Sequence, residues 1–371
     1  MPSSVITQVS EVKNLRKHPD ADRLEICEVG GWQLVCGAGL YKEGERVVYI
    51  TPDTLITERL ADLLEIKQHL SSVKNPDGTF VTNDKGETML RVRQAKLRGE
   101  PSFGTTIPVS LMKDEYGIDI EALPIGANIA SAVGNPLGVA KYEPQMRASA
   151  GDAEVDHPLF PKYTSVENLR NFPTVIEEDE LVSVSIKIHG TNCRVGLIEG
   201  EFMAGSHGLR RKEPADYSKN TYWYPLSILA VKTMLEDLAA SNGYKQVVLF
   251  GEVFGNVQKK YNYGVPNGID FRAFDLLIDG KYVEPNVFYE LCKHYGVQTV
   301  IHLEMNYRYT FEDIKRFAES IEKDPLGDHP IEGLVIRPVV ERQDRRVGRV
   351  ILKYVTDTYL FGKGGSDYTD V

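Results

Sequence analysis

From Thr7 to about Pro124, short apolar runs such as Val47 to Ile50 and Thr105 to Val109 alternate with turn signals at Gly30-Gly31, Pro76-Asp77-Gly78 and Arg98-Gly99. Brief hydrophobic stretches between glycine and proline turns are strand-like, and they predict a small β-barrel. One helix interrupts the pattern near Leu55 to Leu70, where Leu60, Leu63, Leu64 and Ile66 to Leu70 recur at rough helical spacing. Residues 126 to about 165 carry Gly126, Gly134, Pro136, Gly138, Pro144, Gly151, Pro158 and Pro161 with little periodicity, as a linker would. After Ser165 the text is mixed. Strand-like runs at Leu181 to Ile188, Cys193 to Ile198, Gln246 to Phe250, Phe271 to Ile278, Gly333 to Arg337 and Val350 to Val355 surround three helices. The helix ends are legible: Pro225 to Ser241 closes with Gly243, Pro285 to Tyr295 closes with Gly296, and Thr310 offers an N-cap before Phe311 to Glu322. The strands suit antiparallel pairing without regular βαβ alternation, so the expected class is α+β. The expected boundaries are a barrel domain over 1–125, a linker over 126–165 and a second domain over 166–371.

Composition acts mainly by exclusion. At 371 residues, with 42% apolar and 26% charged positions, the chain has the usual mix of a folded globular protein of about two or three domains. Its net charge of −10 argues against coating nucleic acid by bulk attraction, so any such site must be a local basic patch. No run of 18 apolar residues appears, and Met1 to Ser10 lacks the basic and apolar regions of a secretory signal. Cys27, Cys36, Cys193 and Cys292 form no C-x-x-C pair and no zinc spacing with histidine. The expectation is a cytoplasmic chain with reduced thiols, no membrane contact and no required protein partner.

The sharpest local feature is Lys187-Ile188-His189-Gly190-Thr191-Asn192, set between two apolar strands. A lysine at a strand end beside a glycine turn is reachable by substrate. It attacks phosphorus only as the free amine, which neighbouring cations or partial burial favour. Alone, the same residues also describe a surface lysine before a hairpin turn. Four later blocks change the picture. Phe250-Gly251-Glu252 ends an apolar strand in a carboxylate, and Phe271-Arg272-Ala273-Phe274-Asp275 places an aromatic beside an acid. Glu332-Gly333-Leu334-Val335-Ile336-Arg337 repeats the acid-then-strand pattern, and Ile351-Leu352-Lys353-Tyr354 supplies a late lysine.

In this order the five blocks resemble the covalent nucleotidyltransferases, the superfamily of ATP-dependent ligases and capping guanylyltransferases. Lys187 matches the nucleophile of the Lys-x-Asp/His-Gly motif, and Glu252, Phe274-Asp275, Glu332 and Lys353 match the four later motifs. His189 followed by Gly-Thr-Asn is similar to the RNA ligases related to phage T4 RNA ligase 2. His18-Pro19-Asp20-Ala21-Asp22-Arg23-Leu24, Leu34-Val35-Cys36-Gly37 and Lys96-Leu97-Arg98-Gly99 with Ser102 resemble OB-type tRNA-binding domains and the amino-terminal OB domain of one nick-sealing RNA ligase family. Lys141-Tyr142-Glu143-Pro144 and Phe160-Pro161-Lys162-Tyr163 fit that family's domain junction. Only 18 residues follow Lys353, too few for the carboxy-terminal OB domain of DNA ligases and capping enzymes. Two departures stand out. The family's late Lys-x-Lys is missing a member, since Ile351 and Val355 flank Lys353 at two places, leaving Lys363 or Arg349 as substitutes. Ser206-His207-Gly208 stands where relatives place an arginine, with Arg210, Arg211 and Lys212 just beyond.

The resemblance implies an amino-terminal OB-like β-barrel, an adenylyltransferase domain of antiparallel sheets and helices, and an RNA ligase using ATP with Mg or Mn. Lys187, Glu332 and Lys353 would be catalytic, with Lys187 forming a lysyl-AMP intermediate. Ile186, His189, Gly190 and Asn192 would contact the nucleotide from the first motif, and Glu252, Phe274, Asp275 and Arg210 from the later ones. Glu252 and Glu332 are hard oxygen donors suited to the metal. For nucleic acid, Arg91, Arg93, Lys96 and Arg98 form one basic stretch, and Arg337 to Lys353 another with six basic and two acidic residues. The substrate would be a nick with RNA on the 3′-OH side. Two rivals stay open: a module that binds RNA ends on a decayed ligase fold, and a GTP-dependent capping enzyme.

Overall fold

A computed structural model describes residues 7–132, 134–142, 152–257 and 261–362. Glu143, Pro144, Gly151 and Lys363, named above, lie outside the described residues. The described chain divides into two compact units, residues 7–142 with Leu169–Pro173, and residues 152–168 with 174–362. Among the described residues no helix is long and apolar enough to cross a membrane.

The first unit contains β1 (Thr7–Lys17), β2 (Leu24–Val29), β3 (Trp32–Gly37), β4 (Arg46–Ile50), β5 (Thr54–Thr57), β6 (Ser71–Ser72), β7 (Met89–Arg91), β8 (Ala95–Leu97), β9 (Glu100–Ser102), β10 (Thr105–Pro108) and β11 (Ala140–Lys141). They form a five-stranded sheet, β10-β4-β1-β2-β3, a four-stranded sheet, β11-β5-β7-β6, and a β8-β9 hairpin. Val9, Val48, Ile50, Ile56, Leu60, Leu90 and Ile107 close a common core between the sheets. The helix expected over Leu55 to Leu70 is shorter. Thr54 to Thr57 are strand β5, and α1 covers only Glu58–Leu63. Thr57 caps it by accepting the Leu60 N–H at 3.2 Å, and Glu65 leaves the right-handed region at φ +56°. A helix the pattern does not reveal, α2 (Val109–Tyr116), ends at left-handed Gly117 and buries Met112. The stretch expected to be a linker is not loose chain throughout: Ile129, Leu137 and Val139 are buried in the first unit's core. Leu169–Pro173 joins this unit too. The Arg170 guanidinium lies 4.8 Å from the Trp32 ring, and the Trp32 indole N–H donates to Asn171 at 2.6 Å.

The second unit holds β12 (Ala153–Glu154), β13 (Glu167–Asn168), β14 (Leu181–Lys187), β15 (Thr191–Ile198), β16 (Glu201–Ser206), β17 (Arg210–Arg211), β18 (Gln246–Gly255), β19 (Ile269–Ile278), β20 (Lys281–Tyr282), β21 (His302–Arg308), β22 (Gly333–Pro338), β23 (Gln343–Asp344), β24 (Gly348–Arg349) and β25 (Leu352–Val355). Two sheets dominate, β12-β17-β16-β15-β18-β19-β20 and β13-β25-β22-β14-β21. Their pairings are antiparallel except β13 with β25, in keeping with the α+β expectation. The three expected helices are present as α3 (Leu229–Asn242), α4 (Pro285–Tyr295) and α5 (Phe311–Ser320), with a short α6 (Asp357–Leu360) after β25. Pro225 lies in a separate 3₁₀ turn before α3. Gly243 and Gly296 end α3 and α4 in the left-handed region, and Thr310 caps α5 by accepting the Asp313 N–H. Val231, Met234 and Leu235 of α3 and Phe288 and Cys292 of α4 pack on Val195, Val247, Leu249 and Leu276 of the seven-stranded sheet. That layer covers one face of the sheet, and the turn Ile188 to Gly190 carries the chain from one sheet to the other.

Candidate active site

Strand β14 reads Leu-Val-Ser-Val-Ser-Ile-Lys, a period of two that sends alternate side chains to opposite faces. Val182, Val184 and Ile186 are buried, while Ser183, Ser185 and Lys187 line a cleft of about 850 Å³, its open mouth included. Ile186 also borders it. Other parts of the wall come from Asn192 on β15, Glu252 on β18, Phe274 on β19, Val335 and Arg337 on β22, and from Tyr163, Thr164 and Val166 ahead of β14. Such an apolar cleft with a few convergent polar groups is the usual form of a small-molecule site.

Lys187 sits at the end of β14 with its side chain 11% exposed, and its Nζ lies 2.9 Å from Glu332 Oε1. Of the two conditions the sequence offers for a free amine, neighbouring cations or partial burial, the structure shows the burial, together with a carboxylate within reach of the amine's proton. Gly190 explains why the motif needs glycine. A Cβ there would come within 2.3 Å of the Val253 carbonyl oxygen and 3.0 Å of Glu252 Cγ, so only a bare backbone lets this turn press against β18. His189 does not line the cleft. It is buried behind it, where its backbone N–H donates to the Tyr263 hydroxyl at 2.6 Å and its ring meets Tyr261 edge-on. Burial, with the charge of Glu332 added, pushes both tyrosine hydroxyls up from their ordinary range.

Lys353 is also buried, at 1% exposure. Register places it on the cleft side of its sheet, because Lys353 pairs with Val335 and Val335 pairs with Ser185, both of which line the cleft. Asn192 Oδ1 is buried within the lining without a hydrogen-bond partner, an acceptor left for a ligand donor.

Four expected contacts are placed elsewhere. Asp275 is wholly buried beneath the cleft floor: it accepts from Arg337 at 3.0 Å, from Arg349 at 2.6 Å and from the Tyr163 hydroxyl at 2.8 Å. Burial would raise its carboxyl, but the two guanidiniums outweigh this and hold it below the usual range. Asp275 therefore cannot reach a nucleotide directly; it anchors the strand that presents Phe274. Arg337, expected to touch nucleic acid, has a side chain only 5% exposed, and Asp275 and Glu341 bind it, so no external backbone can reach it. Two more members of that basic run are paired, Arg342 with Glu180 and Arg346 with Asp344, while Arg345 is exposed. Arg349 is held by Asp275 and Glu341, so it does not replace the missing late lysine. Arg210 pairs with Glu154 at 3.0 Å and borders a different depression. His207, at the position where an arginine is expected, does line the cleft. In the first unit Arg91 is bound to Asp53 and lies over the Tyr142 ring at 3.8 Å, while Arg93, Lys96 and Arg98 are exposed on and beside the β8-β9 hairpin.

As cleft lining, Tyr163, Ser183, Ser185, Tyr289 and Val335 escape the motif reading, although Tyr163 and Val335 stand within the sequence blocks named above. The serines have a legible signal, the strict alternation leading into Lys187. The tyrosines have none, because they reach the cleft from distant segments.

Comparison with known proteins separates the two halves of the chain. Residues 180–355 match the RNA ligase family, and residues 6–109 match an OB-fold domain. The OB-fold match precedes the ligase match, the order expected from the sequence. Among solved structures, a lysine-to-alanine mutant of Naegleria gruberi RNA ligase with ATP and Mn superposes with a TM-score of 0.76 at 22% identity, over 97% of this chain and 100% of that one. Another lysine-to-alanine mutant of that organism's RNA ligase, without ligand, gives 0.74 at 22% identity over 97% and 99%. At that identity the likeness concerns the fold. The phenylalanine–tRNA ligase beta subunit of Coxiella burnetii is 30% identical over 131 residues, 34% of this chain and 16% of the relative's length. The segment that matches the RNA ligase family contains every residue of the cleft except Tyr163, Thr164 and Val166, which precede it.

Proposed function

We propose that this protein is an RNA ligase that adenylylates Lys187 from ATP, passes AMP to an RNA 5′-phosphate and seals a nick whose 3′-OH side is RNA. The observation that carries the reading is the placement of the Lys187 amine in a largely enclosed cleft, 2.9 Å from a carboxylate and facing Phe274 and Asn192.

In the first step Nζ attacks the α-phosphorus, an N–P bond forms, the bond to the β-phosphate oxygen breaks and pyrophosphate leaves. Glu332 is positioned to take the lysine proton. Phe274 offers a face to the adenine, and the unpartnered Asn192 Oδ1 accepts from a ribose hydroxyl. The AMP then moves to the RNA 5′-phosphate oxygen, freeing Lys187, and the 3′-OH displaces AMP to form the phosphodiester. Lys353, on the cleft side of β25, is the cation for charge on the phosphate oxygens.

Among the described residues no three carboxylate, thiolate or imidazole side chains converge as a metal cage. Glu252 and Glu332 fit instead the mode in which Mg or Mn takes one or two carboxylates and shares the substrate phosphates. When bound, the metal supplies neutralising charge to those phosphates. RNA is the substrate of the paired ligase and OB-fold domains, and Arg93, Lys96 and Arg98 on the OB-fold unit are the exposed cations for its backbone. Preference for RNA at the 3′-OH side would come from reading the 2′-OH.

The test is incubation with ATP radiolabelled at the α-phosphate and Mg or Mn, followed by denaturing electrophoresis and by sealing of nicked duplexes bearing RNA or DNA at the 3′-OH. Labelled wild type, unlabelled Lys187→Ala and faster sealing of the RNA-ended nick are expected. Absence of label on wild type, or equal sealing of both nicks, overturns the corresponding part.

A further inference from the structure

Behind the cleft, a chain of contacts leaves the Lys187 amine and ends in α6. Lys187 Nζ lies 2.9 Å from Glu332 Oε1, and the other oxygen, Oε2, lies 3.7 Å from His189 Nδ1. The same nitrogen lies 3.1 Å from the Tyr359 hydroxyl, in a hydrogen bond between buried groups. Glu332, His189 and Tyr359 are 3%, 4% and 2% exposed, so water does not compete freely for these contacts. The backbone repeats the connection. Thr356, the N-cap of α6, donates its hydroxyl to the Ile331 carbonyl at 3.1 Å and its N–H to the Glu332 carbonyl at 3.0 Å. Thr356 directly follows β25, so the element carrying Lys353 continues into the helix that presents Tyr359.

We infer that Tyr359 is a positioning residue for lysine adenylylation, resting on the function proposed above. Its hydroxyl fixes the His189 ring, the ring stands beside the Glu332 carboxylate at 3.7 Å without hydrogen-bonding it, and Glu332 holds the Lys187 amine in line for attack. Packing alone does not account for the arrangement. The Tyr359 ring already lies 5.6 Å from that of Tyr261 and 5.8 Å from that of His189, centroid to centroid, while the hydroxyl adds a directed bond at the one nitrogen that faces Glu332. Tyr359 does not touch the cleft, so it acts on the rate of attack rather than on nucleotide affinity.

Tyr359→Phe keeps the ring and removes only the hydroxyl. Single-turnover formation of the enzyme–AMP adduct is measured at a series of ATP concentrations for wild type, Tyr359→Phe, His189→Gln and the double variant, with melting curves for each. The expected result is a limiting rate at least 10-fold lower in Tyr359→Phe, half-saturating ATP within about 2-fold of wild type, and a double variant no slower than His189→Gln alone. The inference is overturned by a limiting rate within 2-fold of wild type, by a change confined to half-saturating ATP, or by independent, multiplicative losses in the double variant. It is also overturned if the loss vanishes at temperatures well below a lowered melting point, which assigns the hydroxyl to stability. A wild-type enzyme that forms no adduct refutes the proposed function itself, a separate outcome from a Phe variant that matches wild type.

Discussion

Asp275→Asn separates the buried anchor from a nucleotide contact and gives the clearest test of how the cleft is built. In the wild type two carboxylates, Asp275 and Glu341, face two guanidiniums, Arg337 and Arg349, and Asp275 and the arginines are nearly inaccessible to water. The substitution keeps the size of the side chain but leaves two buried cations sharing one carboxylate. Removing one partner of a buried, hydrogen-bonded ion pair costs about 3–5 kcal/mol, because the remaining charge stays desolvated. Trp223 lies in the second unit and Trp32 in the first, so in a Trp32→Phe background fluorescence during urea unfolding reports the second unit alone. The pH dependence follows from the lowered Asp275 carboxyl. Its contribution is fully present above the ordinary carboxylate value of 3.8 and is lost as pH falls through the depressed folded value. The gap between wild type and variant should therefore stay constant near neutrality and shrink in acid below that ordinary value. A gap under about 1 kcal/mol at neutral pH, against the 3–5 expected for a buried pair, or one that does not narrow in acid, would refute the assignment.

Three further outcomes follow from the geometry. Gly190→Ala forces a methyl against the Val253 carbonyl, an overpacking cost of about 1–3 kcal/mol. It should slow adduct formation at saturating ATP by at least 10-fold, and an unchanged rate would show that the turn can yield. Phe274→Ala removes a ring contact worth about 0.5–1.5 kcal/mol, so half-saturating ATP should rise about 2- to 12-fold in a titration of adduct yield; an unaltered titration would remove adenine stacking. Reversing two exposed charges with Lys96→Glu and Arg98→Glu should weaken RNA binding and flatten its salt dependence by roughly two ions in a filter-binding series. Adduct formation in the absence of RNA should not change, and unchanged RNA binding would place the substrate elsewhere.

Much of the second unit is legible because its information is local. The alternation of β14, the glycine after Lys187 and the helix ends at Gly243, Gly296 and Thr310 each act within a few residues. The reading fails where tertiary contacts decide. The basic run from Arg337 to Lys353 looks like a nucleic-acid patch until Asp275, Glu180 and Glu341 are placed beside it, and two of those acids come from more than sixty residues away. Asp275 follows an aromatic on a strand, but a β-bulge between Phe250 and Gly251 alters the register there, and the acid faces inward to the arginines. Strand β21 opens with His302-Leu303-Glu304-Met305-Asn306, too polar for a hydrophobic-run reading, and it forms through pairing with β14 at the sheet edge. Tyr261 and Tyr359 are single aromatic residues without periodicity; only the fold brings them to His189.

The most direct measurement is peptide-level mass spectrometry after brief exposure to ATP and Mn or Mg, with hydrolysis kept short enough to preserve a phosphoramidate. One adenylyl group on the peptide containing Lys187, absent from Lys187→Ala, is the expected result. An unmodified Lys187 peptide, or an adenylyl group carried by another lysine, would contradict the assignment of Lys187 as the nucleophile.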